Sequence, residues 1–137
     1  MQVVVTGATS FIGAATVKKL MEAGHRVFAV VRPASSNMKH LETIEAGNTP
    51  GSLSICPLDL AEIRTLHGFL ADAWVHIGWD GAGSDNRTKR DVQQRNVTYA
   101  LDAVEAAAAL GCHRFLFTGS QAEYGVWHRT VAEDTPC

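Results

Sequence analysis

Gly7, Thr9, Ser10 and Gly13 lie between an apolar run at residues 3–5 and a long amphipathic stretch that begins at Phe11. A chain that leaves a buried strand and reverses into a helix within so few residues presents the first N–H groups of that helix outward. Those groups, with the helix dipole, bind a phosphate. Glycines permit the reversal and let a pyrophosphate approach the backbone closely. As a bare turn the pattern could be structural only; its position between a first strand and a first helix points to a dinucleotide. Such sites carry a second determinant about 20 positions on, at the end of the second strand, where an acidic side chain binds ribose hydroxyls and an Arg accommodates a 2′-phosphate. Here that residue is Arg32, which favours NADP, with NAD possible. A solvated strand end, or a guanidinium stacked on adenine, is the other reading of Arg32.

The elements that must position these groups are legible as alternating patterns. Residues 3–5 form a short β-branched run and residues 26–31 a continuous apolar one, stopped by Pro33. Between them, residues 11–23 carry Ile12, Ala15, Leu20 and Ala23 at helical spacing and end at Gly24, suited to a left-handed cap. Beyond a polar turn at 33–37, the sequence predicts a short helix at 38–46, a strand at 53–56, a helix at 61–70 and a strand at 74–77. A Gly- and Asp-rich loop at 79–88 leads to the longest helix, 90–110, closed by Gly111, and to a fifth strand at 114–117. Continuous apolar strands alternating with helices require a parallel sheet covered on both faces. Residues 124–137 show no clear periodicity.

The bulk properties fit one domain that binds a small molecule. A chain of 137 residues buries about 68% of the surface that its unfolded form exposes. With 46% hydrophobic and 19% charged residues and a formal charge of -2, there is no basic excess to attract nucleic acid. No apolar stretch approaches the roughly 20 residues of a membrane span, and the start of the chain lacks a signal-peptide pattern. Cys56, Cys112 and Cys137 have no paired spacing, as expected of inert thiols in a reduced, cytoplasmic protein.

The stretch TGATSFIG resembles the TGxxGFIG fingerprint of the extended short-chain dehydrogenase/reductases, the group of NAD-dependent epimerases and dehydratases, with Thr6, Gly7, Phe11, Ile12 and Gly13 in place. Ser10 replaces the middle glycine; its hydroxyl can still donate to a phosphate, so a weakened or slightly shifted cofactor contact is expected. Asp59-Leu60 is similar to the family's Asp-Leu or Asp-Ile pair at the adenine, although Asp59 by itself also reads as a helix N-cap. The segment 74–78 resembles the strand end that runs along the cofactor's phosphates and nicotinamide ribose, which implies roles for Ile77 and Gly78. In the resemblance His76 is structural, not an acid or base. Trp79 and Asp80 stand where the family has small residues, a bulk that shapes the substrate site or partly blocks it. Asn96-Val97 is similar to the family's NV pair, whose Asn organises the strand ends beside the active site; from its helix alone, Asn96 could be merely exposed. The alanine-rich run at 103–109 lies on the helix that helps the family build a homodimer.

The stretch 114–125, with Thr118 at its strand end, resembles the family's strand ending in SSxxxYG. Ser120 falls on the catalytic serine, whose hydroxyl hydrogen-bonds the reacting oxygen of the substrate; otherwise it is a turn residue. Tyr124 belongs to the closing YG pair and is not the catalytic tyrosine. The family's YxxxK occurs nowhere in the sequence, and residues 131–136 resemble the approach to the helix that carries it. The resemblance implies a three-layer Rossmann-type α/β domain, a doubly wound parallel sheet in the order 3-2-1-4-5, incomplete relative to the family fold. It also implies an NAD(P)-dependent epimerase, dehydratase or reductase of a nucleotide-sugar or similar hydroxyl or carbonyl substrate, inactive as these residues stand. Three origins remain open: a piece of a larger enzyme, a truncated gene product, or a non-catalytic module such as a sensor of the NADP pool.

Overall fold

The computed structural model describes residues 1–81, 84–86, 88–120, 124–126, 128 and 130–136. Five strands form one parallel sheet: β1 (Gln2–Thr6), β2 (Arg26–Val31), β3 (Ser52–Pro57), β4 (Ala73–His76) and β5 (Arg114–Phe117), in the order β3-β2-β1-β4-β5. The central strand, β1, reads Val3-Val4-Val5, and all three side chains are buried. That is why its pattern is continuous rather than alternating: both faces of the sheet are covered.

Each face has its own core. On one side α1 (Phe11–Glu22) and α2 (Met38–Glu45) place Val17, Met21 and Leu41 against Val3, Val5, Val27, Ala29 and Val31. On the other, α3 (Arg90–Ala109) sets Ala103, Ala106 and Ala107 against Val4, Phe28, Val30 and Trp74. The small alanines let α3 approach the sheet closely enough to enclose the Trp74 ring completely. Fully burying a Val or Leu side chain contributes about 1.5–3 kcal/mol, so the two layers supply the bulk of the stability. Gly24 and Gly111 end α1 and α3 at φ 78° and φ 83°, in the left-handed conformation expected of such caps.

One expected helix is corrected. Residues 61–70 form only a 3-10 turn, Leu60–Thr65, followed by irregular chain to β4. Asp59 starts the turn by accepting a hydrogen bond from the Ala61 N–H at 3.0 Å, so its N-cap reading holds. Gly68 stops any continuation, with φ at 92°. Leu66 and Phe69 still pack beneath the sheet, Phe69 stacked on Phe28 with ring centroids 3.8 Å apart, and this burial produced their helix-like spacing. Residues 121–123 of the SSxxxYG-like stretch, part of the 79–88 loop, and Cys137 lie outside the described residues.

Candidate functional site

The turn between β1 and α1 is built by two glycines. Gly7 has φ 68°, and a Cβ there would come within 2.7 Å of the Gly78 backbone N, so only glycine lets the β1 and β4 ends meet. At Gly13 a Cβ would overlap the Gly7 carbonyl oxygen, which already accepts the Ser10 N–H at 3.0 Å. Ser10 is the N-cap of α1, its Oγ accepting from Gly13 N at 3.0 Å. The hydroxyl proton therefore remains available to a ligand. The first N–H groups of a helix have no intrahelical acceptor, and the 12 residues of α1 align their dipoles toward this end.

A second network fixes the end of β4. Thr6 Oγ1 accepts from the Ile77 and Gly78 N–H groups, each at 3.3 Å, and shares a hydrogen bond with His76 Nδ1 at 3.0 Å. The other ring nitrogen, Nε2, is buried without a partner among the described residues. His76 stacks on Phe117 and Phe115, and burial pushes its pKa down to about 4. It is neutral at physiological pH and touches no open cleft, in agreement with a structural role. Asn96, expected either to organise the strand ends or to be exposed, is buried at 1% exposure. It holds the backbone of one residue on both sides: Asp80 N donates to its Oδ1 at 2.7 Å, and its Nδ2 donates to Asp80 O at 2.9 Å.

These turns enclose a cleft of about 540 Å³, within the range typical of small-molecule sites. Of the residues singled out in the sequence, Gly7, Thr9, Ser10, Arg32, Asp59, Leu60, Gly78, Trp79 and Asp80 line it. Gly13 and Asn96 stand behind it and set its shape. Phe11 and Ile12 expose their side chains, at 89% and 56%, and are not among the residues that line the cleft. Thr118 continues the sheet, its N–H and hydroxyl both donating to His76 O. Neither it nor Ile77 nor the exposed Ser120 is among the cleft's lining residues.

The lining also contains residues that the sequence reading passed over. Ser35, Ser36 and Asn37 follow Arg32 along one rim, and Ser35 Oγ donates to Thr9 Oγ1 at 3.1 Å. Tyr99 reaches the cleft from α3, one helical turn after Asn96. The signal for the first group was the polar run directly after Arg32; for Tyr99 it was the spacing from Asn96. Cys56 and Cys112 are free, and burial pushes both thiols up. Among the described residues no cluster of His, Cys, Asp and Glu could hold a metal ion, and no helix is long and apolar enough to cross a membrane.

A parallel sheet in this order, with a glycine turn feeding a helix N-terminus at the strand ends, defines a Rossmann-type nucleotide-binding domain. The NAD-dependent epimerase/dehydratase family matches residues 3–137. The chain belongs to that family. It is 30% identical to a UDP-glucose 4-epimerase of Klebsiella pneumoniae over 129 residues, covering 91% of this chain and 93% of that protein. It is also 27% identical to UDP-glucose 4-epimerase 2 of Arabidopsis thaliana, over 98% of this chain and 41% of that one. Among solved structures, UDP-glucose 4-epimerase from Bifidobacterium longum in complex with NAD+ and UDP superposes with a TM-score of 0.83 at 22% identity, over 99% of this chain and 42% of that chain. This chain thus spans about two-fifths of the Arabidopsis and Bifidobacterium proteins.

Proposed function

We propose that this chain holds a nicotinamide dinucleotide across the ends of β1, β2 and β4, with the 2′-phosphorylated form preferred, in service of an epimerase, dehydratase or reductase of nucleotide-sugars or similar hydroxyl and carbonyl substrates. The observation that carries the reading is the Gly7–Gly13 cradle at the α1 N-terminus, opening into a cleft of about 540 Å³. The diphosphate would rest on the first α1 amides and the Ser10 hydroxyl. Arg32 and Ser36 on the β2 rim supply a fixed positive charge and a hydroxyl donor for the 2′-phosphate. When bound, the dinucleotide supplies a hydride acceptor or donor at its nicotinamide ring. Ser120, which follows β5, would hydrogen-bond the reacting oxygen of the substrate. A homodimer is part of the proposal, supported by Val97, Leu101 and Val104, which form an exposed apolar stripe on α3; light scattering of the purified protein tests it.

NADPH and NADH titrations, followed by nicotinamide fluorescence, test the cofactor reading. Hydrogen bonds to a charged group contribute about 1.5–3 kcal/mol, so NADPH should bind roughly 10- to 100-fold more tightly, and Arg32→Ala should remove the difference. Equal or tighter binding of NADH by the unaltered chain would remove the role of Arg32. Failure of both nucleotides to bind would end the reading altogether.

A further inference from the structure

The Trp79 indole is held on several sides. Its Nε1 donates to Gln93 Oε1 at 3.1 Å, and its ring meets Phe117 edge-on with centroids 6.1 Å apart. Gln93 uses the other end of its amide as well: Nε2 donates to Asn86 O at 3.0 Å. A single side chain of α3 therefore ties the ring that lines the cleft to the loop ahead of the helix. Asn96 pins the neighbouring Asp80 peptide, and Gly81 lies so close to Val92 and Asn86 that a Cβ would come within 2.9 Å of each. The indole is thus tied to α3 through Gln93 and to β5 through Phe117.

A ligand whose diphosphate rests over the turn after β1 must extend both ways. β2 and β4 flank β1, each one strand spacing away, about 4.8 Å. The β2 rim carries Arg32 and the serines, the chemistry of a phosphorylated ribose. The β4 rim carries Trp79, whose only polar atom is consumed by Gln93. What Trp79 presents to the cleft is an aromatic surface, which suits a flat ring, and the acidic Asp80 beside it also lines the cleft; neither favours a phosphate.

We propose that Gln93 is a positioning residue, which fixes Trp79 as the wall that receives the nicotinamide half of the dinucleotide while the adenosine half lies on the β2 side. This rests on the dinucleotide reading above. Gln93→Leu keeps the volume and removes both hydrogen bonds; Gln93→Glu keeps the acceptor for the indole. Calorimetric titration would compare NADPH with adenosine 2′,5′-bisphosphate, which lacks the nicotinamide half. Gln93→Leu should weaken NADPH about three- to tenfold, the worth of an ordinary hydrogen bond, and leave the bisphosphate unchanged; Gln93→Glu should restore most of the loss. Trp79→Phe, which keeps an aromatic ring but has no indole N–H, provides an independent arm with the same selective loss should Gln93→Leu fail to fold. Equal weakening of both ligands would mean that the loop is merely loosened, and no weakening of NADPH would mean that the wall is not used; either result overturns the proposal. If the unaltered chain binds NADPH and the variants match it, only the Gln93 assignment falls. If it binds neither ligand, the dinucleotide reading falls as well.

Discussion

Gly13→Ala tests the central geometric argument, because two opposite forces act on the same methyl group. Inside a helix, alanine is favoured over glycine by about 1 kcal/mol. Were α1 free of close neighbours, the variant would be the more stable protein. In the folded chain, however, the added Cβ would overlap the Gly7 carbonyl oxygen and come within 2.9 Å of the Gly7 carbonyl carbon and the Ala8 Cα. All three are backbone atoms, so no side chain can rotate away, and Gly7 O is already committed to the Ser10 N–H. Overpacking in a close-packed region costs typically 1–3 kcal/mol, and overlap with backbone belongs at the upper end. The net expectation is a loss of about 2 kcal/mol, a large part of a typical domain stability of about 5–15 kcal/mol. With a urea dependence of about 1–3 kcal/mol per molar, the unfolding midpoint should fall by roughly 1 M, read by circular dichroism at equal slope. Dinucleotide affinity should fall too, because relieving the overlap moves α1 away from the turn. A Gly13→Ala protein as stable as the original, or more stable, would show that helix propensity wins and that the cradle is not tight.

Three further outcomes are expected. Ser10→Ala removes the N-cap acceptor of the Gly13 N–H and should cost about 1 kcal/mol in urea unfolding, together with a measurable weakening of dinucleotide binding. Asn96→Leu leaves the Asp80 N–H and C=O without their partners; at about 1–3 kcal/mol for each stranded buried group, thermal unfolding should move several degrees lower. Burial lowers the folded pKa of His76 to about 4 from the ordinary 6.5. The unfolded chain therefore binds more protons between these values, so the stabilisation is complete above about pH 6.5 and is lost as pH falls toward 4. Going from pH 7 to 5 should cost about 2 kcal/mol, and a His76→Gln variant should lack that portion of the pH dependence.

The strands were readable because burial on both faces leaves uninterrupted runs such as Val3-Val4-Val5 and Val27 to Val31, which few other environments select. The helix expected at 61–70 failed for a related reason. Leu66 and Phe69 are apolar because they pack beneath the sheet, and their spacing imitates a helical face that Gly68 interrupts. The glycine turn was legible, since its conformation constrains residue type directly. Asn96 was ambiguous because an amide looks the same in the sequence whether it meets water or a buried peptide. Ser35, Ser36 and Tyr99 had only the faint local signals of a polar run after Arg32 and a one-turn spacing from Asn96; what brings them to one cleft is the convergence of separate segments. The N-cap role of Ser10 was available from its place before Phe11 but was hidden by the comparison with a glycine.

Among the described residues, β5 stands at the rim of the sheet, paired on one side only, to β4. Leu116 and Phe117 are 55% and 45% exposed there. An unpaired row of peptide groups flanked by apolar side chains is a template for adding another strand. In concentrated solution this rim is therefore where the isolated polypeptide would begin to clump, and a lysine in place of Leu116 is the natural way to keep it dispersed.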